Sequence, residues 1–120
     1  MAVRAVRGAI QVDADEPVAV HRGVREMLAA MLERNGLTAD DVISIFFTAT
    51  TDLTSCFPAA GAREAGFADV PLLCASEIAV PGSLPRTVRL LAHVESPRPR
   101  AEIRHAFLGA AAALRDDLRQ

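Results

Sequence analysis

Two charged side chains stand beside apolar segments in the part of the sequence from residue 69 to residue 94. The apolar run 70–74 predicts a strand, and Glu77 follows just beyond it. After a loop broken by prolines, a second apolar run, 87–94, carries Arg89 between two aliphatic residues. An ionised side chain beside a core is costly unless it is paired or faces a cleft. Glu77 and Arg89 therefore form either a structural ion pair at a sheet edge or part of a site for an anion.

Arginines elsewhere in the chain favour the anion site. Arg4 and Arg7 are three residues apart in a predicted strand, 3–12, so their side chains point to opposite faces. Arg7 shares its face with small residues, and Gly8 beside it gives room for a close approach. This pattern suits a guanidinium held in a shallow cleft, the alternative being an edge-strand arginine that reaches water.

A third arginine lies where the chain passes from a strand to a helix. Phe57 and the proline after it open a predicted short helix, 59–66, and Arg63 lies on that helix. Such junctions are common places for ligand sites. All 13 basic residues are arginine, so arginine content alone says nothing about anion binding and only position can indicate a site.

The composition is that of a globular protein and excludes several function classes. Hydrophobic residues make up 51% and charged residues 23% of the 120 residues, which excludes a disordered chain. A net charge of -2 argues against non-specific nucleic-acid binding. No apolar run approaches the length of a membrane span, and the N-terminal residues lack a signal-peptide core. We predict a cytoplasmic protein with no membrane or nucleic-acid partner, whose residues 1–120 form one domain.

Cysteine and histidine residues form no recognisable site. Cys56 and Cys74 have no metal-type spacing, and we predict that both are free thiols. The three histidines are scattered, so neither a metal site nor a catalytic triad can be assembled from spacing. The sequence therefore predicts no metal.

The elements that would position these residues follow from periodicity. Pro17 begins a helix whose apolar stripe ends at a C-cap, Gly36. The nearly continuous apolar run 42–49 predicts a central strand. Residues 101–118 favour a helix by propensity, although the apolar run 106–108 leaves a strand open as the alternative.

Seven segments, taken together, resemble one known family. They occur in order along nearly the whole chain: RxxRGA from Arg4, ATTDL ending at Leu53, FPAxxxRE from Phe57, VPLLCxxE from Val70, RxxRLLxHV from Arg86, IRHAFL from Ile103 and LRDDL from Leu114. With these motifs the chain resembles the small monofunctional chorismate mutases of the trimeric, mixed α/β class. The resemblance implies an α+β fold, in which one long and one short helix pack on a mixed five-stranded sheet. It also implies a homotrimer with a barrel-like core and active sites at the subunit interfaces, and a strand around residues 105–108.

The reaction that the resemblance implies is the Claisen rearrangement of chorismate to prephenate, on the route to phenylalanine and tyrosine. This pericyclic step needs no cofactor, metal, nucleophile or general base, which agrees with a sequence that has arginines and one glutamate at strand ends. By the resemblance, the catalytic residues are Arg89, Arg7 and Glu77. The substrate-binding residues that it implies are Phe57, Arg63, Leu73, Cys74, Phe107, Leu114 and Arg115.

The sequence departs from the family pattern at two positions. Phe107 stands where the family has a tyrosine, and Ala60 stands where it often has a lysine. Both differences bear on substrate affinity. Two alternatives remain open from the sequence: a trimeric enamine/imine deaminase-like enzyme, and a non-catalytic module that binds an aromatic amino acid.

Overall fold

The computed structural model describes residues 1–113, which form a five-stranded sheet with helices on one face. The strands and helices, in chain order, are β1 (Ala2–Gln11), α1 (Pro17–Asn35), β2 (Val42–Ala49), α2 (Pro58–Ala62), β3 (Leu72–Ser76), β4 (Thr87–Ser96) and β5 (Ala106–Leu108). The sheet order is β3-β2-β4-β1-β5. The sheet is mixed, because β4 is antiparallel to β1 and β2, whereas the outer pairs β2–β3 and β1–β5 are parallel.

Helix α1 forms where its apolar stripe predicts it, and it packs against the sheet. Pro17 occupies its first turn, and Gly36 ends it with a left-handed φ of 62°, a conformation that glycine adopts without steric cost. The stripe that includes Val24, Met27 and Met31 is fully buried. Gly8 of β1 is needed for this packing, because a Cβ there would lie 3.2 Å from the Cγ atom of Met27. The close approach predicted at Gly8 is therefore made by a helix.

The two faces of the sheet differ in what covers them. Side chains alternate along β1, so that Val6 and Ile10 face the helices, whereas Arg7 and Ala9 face the other way. We call this second side the open face. Among the described residues, the terminal turn Gly109–Ala113 packs near Ala9 on the open face. Large apolar side chains remain exposed elsewhere on it: Val3, Phe46, Leu73 and Leu91.

β3 and β4 follow each other along the chain but are not neighbours in the sheet, because β2 lies between them. Two predictions about the elements need correction. β2 is interior but β4 is the central strand, and one face of β2 stays partly exposed at Phe46. The short helix α2 ends at Ala62 and continues as a wide turn, Arg63–Phe67.

The helix that propensity favours over residues 101–118 is wrong for the described part of that range. Residues 106–108 form β5, and short turns lie on either side of it, Arg100–Glu102 and Gly109–Ala113. Parallel pairing with β1 outweighs the helix propensity of the alanine-rich segment. The strand implied by the resemblance is thus confirmed.

Hydrogen bonds between Asp52 and Arg86, which we call the latch, hold the chain at the start of β4. Arg86 has a φ of 48°, a left-handed conformation that is costly for a residue with a side chain. Its backbone N–H donates to the Oδ2 atom of Asp52 at 3.0 Å, and its Nε donates to the carbonyl of Val12 at 3.0 Å. Asp52 also accepts a hydrogen bond from the Thr50 hydroxyl. These bonds from two neighbouring segments offset the strain at Arg86 and fix the start of β4.

Across residues 1–113, the structure contains no helix that is both long enough and apolar enough to span a membrane.

Candidate active site

A charged centre lies on the open face, where β4, β2 and the end of β3 run side by side. The Nε atom of Arg89 donates to both carboxylate oxygens of Glu77, at 3.1 Å for Oε1 and 3.0 Å for Oε2. The hydroxyl of Thr48, the residue opposite Arg89 in β2, donates to Oε2 of Glu77 at 2.8 Å. The backbone N–H of Glu77 donates to the carbonyl of Ala49 at 2.9 Å, which extends the β2–β3 pairing by one residue. The ion pair between Arg89 and Glu77, one of the two alternatives that the sequence left open, is present.

The ion pair with Glu77 uses only the Nε atom of Arg89 and leaves Nη1 and Nη2 without a partner among residues 1–113. Arg89 uses only Nε toward Glu77, and no residue in 1–113 accepts a hydrogen bond from Nη1 or Nη2 of Arg89. The side chains of Arg89 and Glu77 retain 27% and 16% of their accessible surface. An arginine used only for a structural ion pair commonly presents two parallel N–H groups to the carboxylate. Here the Nη groups are available to an anion.

Arg7 lies on the same face, on the neighbouring strand. Its register partner in β4 is Leu91, and Arg89 pairs with Ala9, so Arg7 and Arg89 are diagonal neighbours across β1 and β4. The Cζ atom of Arg7 lies 5.8 Å from the ring centroid of Phe107, within the range of a cation–π interaction. Two guanidinium groups on adjacent strands provide a positive region suited to a substrate with more than one negative charge.

Phe107 lies beneath this region and is itself buried. It pairs with Ala9, and only 4% of its surface is exposed. Its small cluster contains Ala9 and Ala111. Phe107 therefore presents the ring side near Arg7 to the candidate site, while most of the ring is core.

A separate cleft of about 440 Å³ lies at the carboxyl ends of β2 and β3. It is lined by Ala49, Leu53, Thr54, Ser55, Cys56, Phe57, Pro58, Cys74, Ala75 and Ser76. Phe57 is 71% exposed at its edge. Asp15 holds the wall of the cleft through hydrogen bonds from the backbone N–H groups of Thr54 and Ser55, which lower the pKa of its carboxyl.

Cys74 lines this cleft from the face of the sheet that the helices cover. It pairs with Phe47, which is fully buried, and it packs against the main core on the helix side. Its side chain thus lies on the opposite face from Arg89. Cys56 and Cys74 are both free thiols, as predicted.

The remaining predicted site residues are dispersed. Leu73 is 61% exposed, and it lines a groove of about 310 Å³ on the open face together with Phe46, Leu91 and His93. Arg63 is exposed at the end of α2 and is not part of the cleft wall. Leu114 and Arg115 lie outside the described residues. Within one chain, most of the predicted residues therefore form two sets, one around Arg89 and one around the cleft, while Leu73 and Arg63 lie apart from both.

Sequence reasoning assigned no role to Thr48, which the structure places in contact with Glu77. The available signal was a threonine that ends an apolar strand, but its partner depends on β2 lying between β3 and β4. Within residues 1–113, no group of three or more His, Cys, Asp or Glu side chains could hold a metal ion.

Comparisons with known proteins agree over nearly the whole chain. The family described as chorismate mutase type I matches residues 3–118. A chorismate mutase AroH from Thermus thermophilus is 49% identical over 117 residues, which are 97% of this chain and 96% of that protein. One from Bacillus subtilis is 34% identical over 119 residues, covering 98% and 94% respectively. The solved structure of a chorismate mutase from Clostridium thermocellum superposes with a TM-score of 0.86 at 40% identity, covering 89% of this chain and 96% of that one.

Proposed function

Because this chain belongs to the chorismate mutase type I family and is a chorismate mutase, an isomerase, we propose that it catalyses by substrate restraint and arginine electrostatics. The reaction belongs to the biosynthesis of aromatic amino acids. Chorismate rearranges to prephenate in one step, in which one C–O bond breaks and one C–C bond forms. No proton leaves or enters the substrate, so the protein supplies geometry and charge.

The observation that carries this mechanism is that Arg89 binds Glu77 through Nε alone. Glu77 fixes the Nε side of Arg89, and no residue in 1–113 accepts a hydrogen bond from either Nη group, so both can donate to a bound anion. Negative charge develops on the ether oxygen as the C–O bond breaks. A preorganised donor at that oxygen stabilises the transition state more than the ground state. Arg89 is the residue that supplies it.

The neighbouring charged groups hold the substrate in its reactive chair shape. Arg7, diagonal to Arg89, binds a carboxylate of the dianion and shares in stabilising the ether oxygen. Glu77 accepts a hydrogen bond from the ring hydroxyl of the substrate. The ring of Phe107 lies against Arg7, with 5.8 Å between the Cζ atom and the ring centroid. Restraint of a flexible substrate near its attack geometry removes a large part of the entropic barrier.

The second set of residues comes from another subunit. Phe57, which packs on the substrate ring, and Cys74, which contacts the ring hydroxyl, lie in a cleft on the other side of the sheet from Arg89. The two sets of one chain therefore cannot contact the same substrate molecule. We assign Arg63, which directly follows α2 outside the cleft wall, to this second set. Leu73 belongs to the open face, and Leu114 and Arg115 cover the substrate at the entrance. The site is complete only in a homotrimer, with one set from each of two neighbours.

The exposed apolar groups of the open face support this assembly. Phe46, Leu73 and Leu91 surround a groove on a sheet face that has little cover within the described chain. Apolar patches of this kind mark interaction surfaces in soluble proteins. In the trimer, three such faces close into a barrel-like core. The two free thiols agree with a reducing compartment, and the enzyme acts in the cytoplasm.

The activity is tested by following chorismate consumption by purified protein and identifying prephenate as the product. Turnover without added metal or cofactor is expected. Hydrolysis of 2-aminoacrylate would instead support the deaminase-like alternative, and binding of phenylalanine or tyrosine without turnover would support the regulatory module. Family membership favours neither alternative.

The shared site is tested by mixing two inactive variants. Arg89→Ala disables the first set, and Arg63→Glu reverses a charge at an exposed position of the second. If sites form between neighbours, randomly mixed trimers made from equal amounts regain about one quarter of the wild-type sites. No recovery in trimers that exchange subunits, or a monomeric mass at full activity, would contradict the shared site.

A further inference from the structure

Thr48 occupies the position between the two partners of the charged centre. Neighbouring strands are about 4.8 Å apart, so β3 and β4 are separated by roughly twice that distance, with β2 between them. Glu77 follows β3 and reaches Arg89 on β4 across the position of Thr48. The Thr48 hydroxyl donates to Oε2 of Glu77 at 2.8 Å, the shortest of the three hydrogen bonds that this carboxylate accepts from residues 1–113.

The hydroxyl makes the two oxygens of Glu77 unequal. Oε2 accepts hydrogen bonds from both Thr48 and Arg89, whereas Oε1 accepts one only from Nε of Arg89 among residues 1–113. The backbone of Glu77 is fixed by its bond to Ala49, but the side chain has three rotatable torsions of its own. Without the hydroxyl, rotation of the carboxylate would be limited by Arg89 alone.

We propose that Thr48 is a positioning residue that orients Glu77 and, through it, Arg89. Its hydrogen bond leaves Oε1 available to the substrate and keeps the carboxylate on the Nε side of the guanidinium, so that both Nη groups stay free for the ether oxygen. Thr48 touches neither reacting atom and acts only through Glu77. This inference rests on the mechanism proposed above, in which Arg89 stabilises the transition state.

The test compares variants that keep or remove the hydroxyl. Thr48→Val preserves the shape and removes the donor, and Thr48→Ser preserves the donor and removes a methyl group. We expect kcat of Thr48→Val to fall about tenfold, as for loss of a hydrogen bond to a charged group. KM should change less than about threefold, since most substrate-binding contacts remain. Thr48→Ser should retain kcat within about threefold.

A double-mutant cycle separates positioning from a merely structural role. In a Glu77→Ala background, Thr48→Val should have no further effect on kcat, because its only route to the substrate is gone. Thr51→Val, at an exposed position of the following turn, is the matched control and should behave as wild type. If Thr48→Val does not fold, Thr48→Ala takes its place with the same expectations, and circular dichroism and light scattering establish the fold and mass of each variant.

Two results would overturn the inference alone: unchanged kcat in Thr48→Val, or a tenfold loss that persists in the Glu77→Ala background. In both cases Glu77→Ala and Arg89→Ala would still be slow. If Glu77→Ala and Arg89→Ala themselves turned over at the wild-type rate, the proposed mechanism would be refuted, and the role of Thr48 with it.

Discussion

Replacement of Arg89 by alanine is the sharpest test of the catalytic mechanism. The structure shows an arginine whose Nε is engaged by Glu77 and whose Nη groups have no partner among the described residues. Loss of one preorganised donor to a developing oxyanion costs about 3 to 4 kcal/mol, or a fall in kcat of roughly 10² to 10³. KM should change much less, because other groups hold the ground-state substrate. Arg89→Lys should recover little, since an ammonium cannot serve Glu77 and the ether oxygen in one planar arrangement.

The same change has a smaller effect on stability. Removal of the guanidinium leaves Glu77, whose side chain is 16% exposed, with the hydrogen bond from Thr48 as its remaining side-chain partner in residues 1–113. The cost lies between that of an exposed pair and a buried one, about 1 to 2 kcal/mol. Because this is a modest part of a typical folding free energy, the variant should remain folded. The kinetic loss is therefore distinct from unfolding.

The assay measures initial rates of chorismate consumption over a range of substrate concentrations, with circular dichroism and light scattering on the same samples. Arg22→Ala serves as the control, because Arg22 is an exposed arginine on α1, remote from the open face. It should keep wild-type kcat. A folded Arg89→Ala variant with kcat within about tenfold of wild type would refute the assignment of Arg89.

Two further predictions concern affinity and stability. Phe107→Tyr should lower KM several-fold with kcat nearly unchanged, because the ring lies 5.8 Å from the Cζ atom of Arg7 and an added phenol would contact the substrate carboxylate that we assign to Arg7. A lower melting temperature with unchanged KM would show that the ring position is only core. Asp52→Asn should lower the free energy of unfolding at pH 7 by up to about 1 kcal/mol, because the hydrogen bond from Thr50, followed by that from the N–H of Arg86, lowers the pKa of the carboxyl. A carboxyl whose pKa is lowered in the folded state stabilises the fold above its unfolded pKa, roughly 4, and loses that contribution as the pH falls through the lowered value. The difference in unfolding free energy between wild type and Asp52→Asn, measured by urea denaturation, should therefore shrink below about pH 4.

Local patterns in the sequence were sufficient for most elements. The apolar stripe of α1 and its glycine C-cap are local signals, and the structure has both. The run 42–49 became β2 with the same bounds. Residues 106–108 were different, because their strand depends on parallel pairing with β1, at the other end of the chain. The apolar run left a strand open as the alternative to a helix, but only the resemblance to a family predicted it.

The candidate site was predictable in its charges but not in its supporting contacts. Arg89 and Glu77 were recognised because an ionised side chain next to a core needs a partner. Thr48 and the latch of Asp52 and Arg86 could not be recognised, since each joins segments whose adjacency depends on the strand order. The division of the site between two faces of the sheet has the same origin. Spacing along the chain does not tell which face of a distant strand a residue will share.

The strand order also has a consequence for how the chain is made. The partners of β1 are β4 and β5, which lie in the last third of the sequence. At about 5 to 20 residues per second, β1 waits roughly 4 to 16 seconds on the ribosome before β4 has been synthesised. We hypothesise that β1 is unpaired during this interval; protection of residues 2–11 from protease in ribosome-bound chains shorter than 87 residues would contradict it. An unpaired strand is an aggregation hazard, and charged side chains reduce that hazard. Arg4 and Arg7 place one positive charge on each face of β1, so we expect the arginine to which we assign a substrate carboxylate to protect the nascent chain as well.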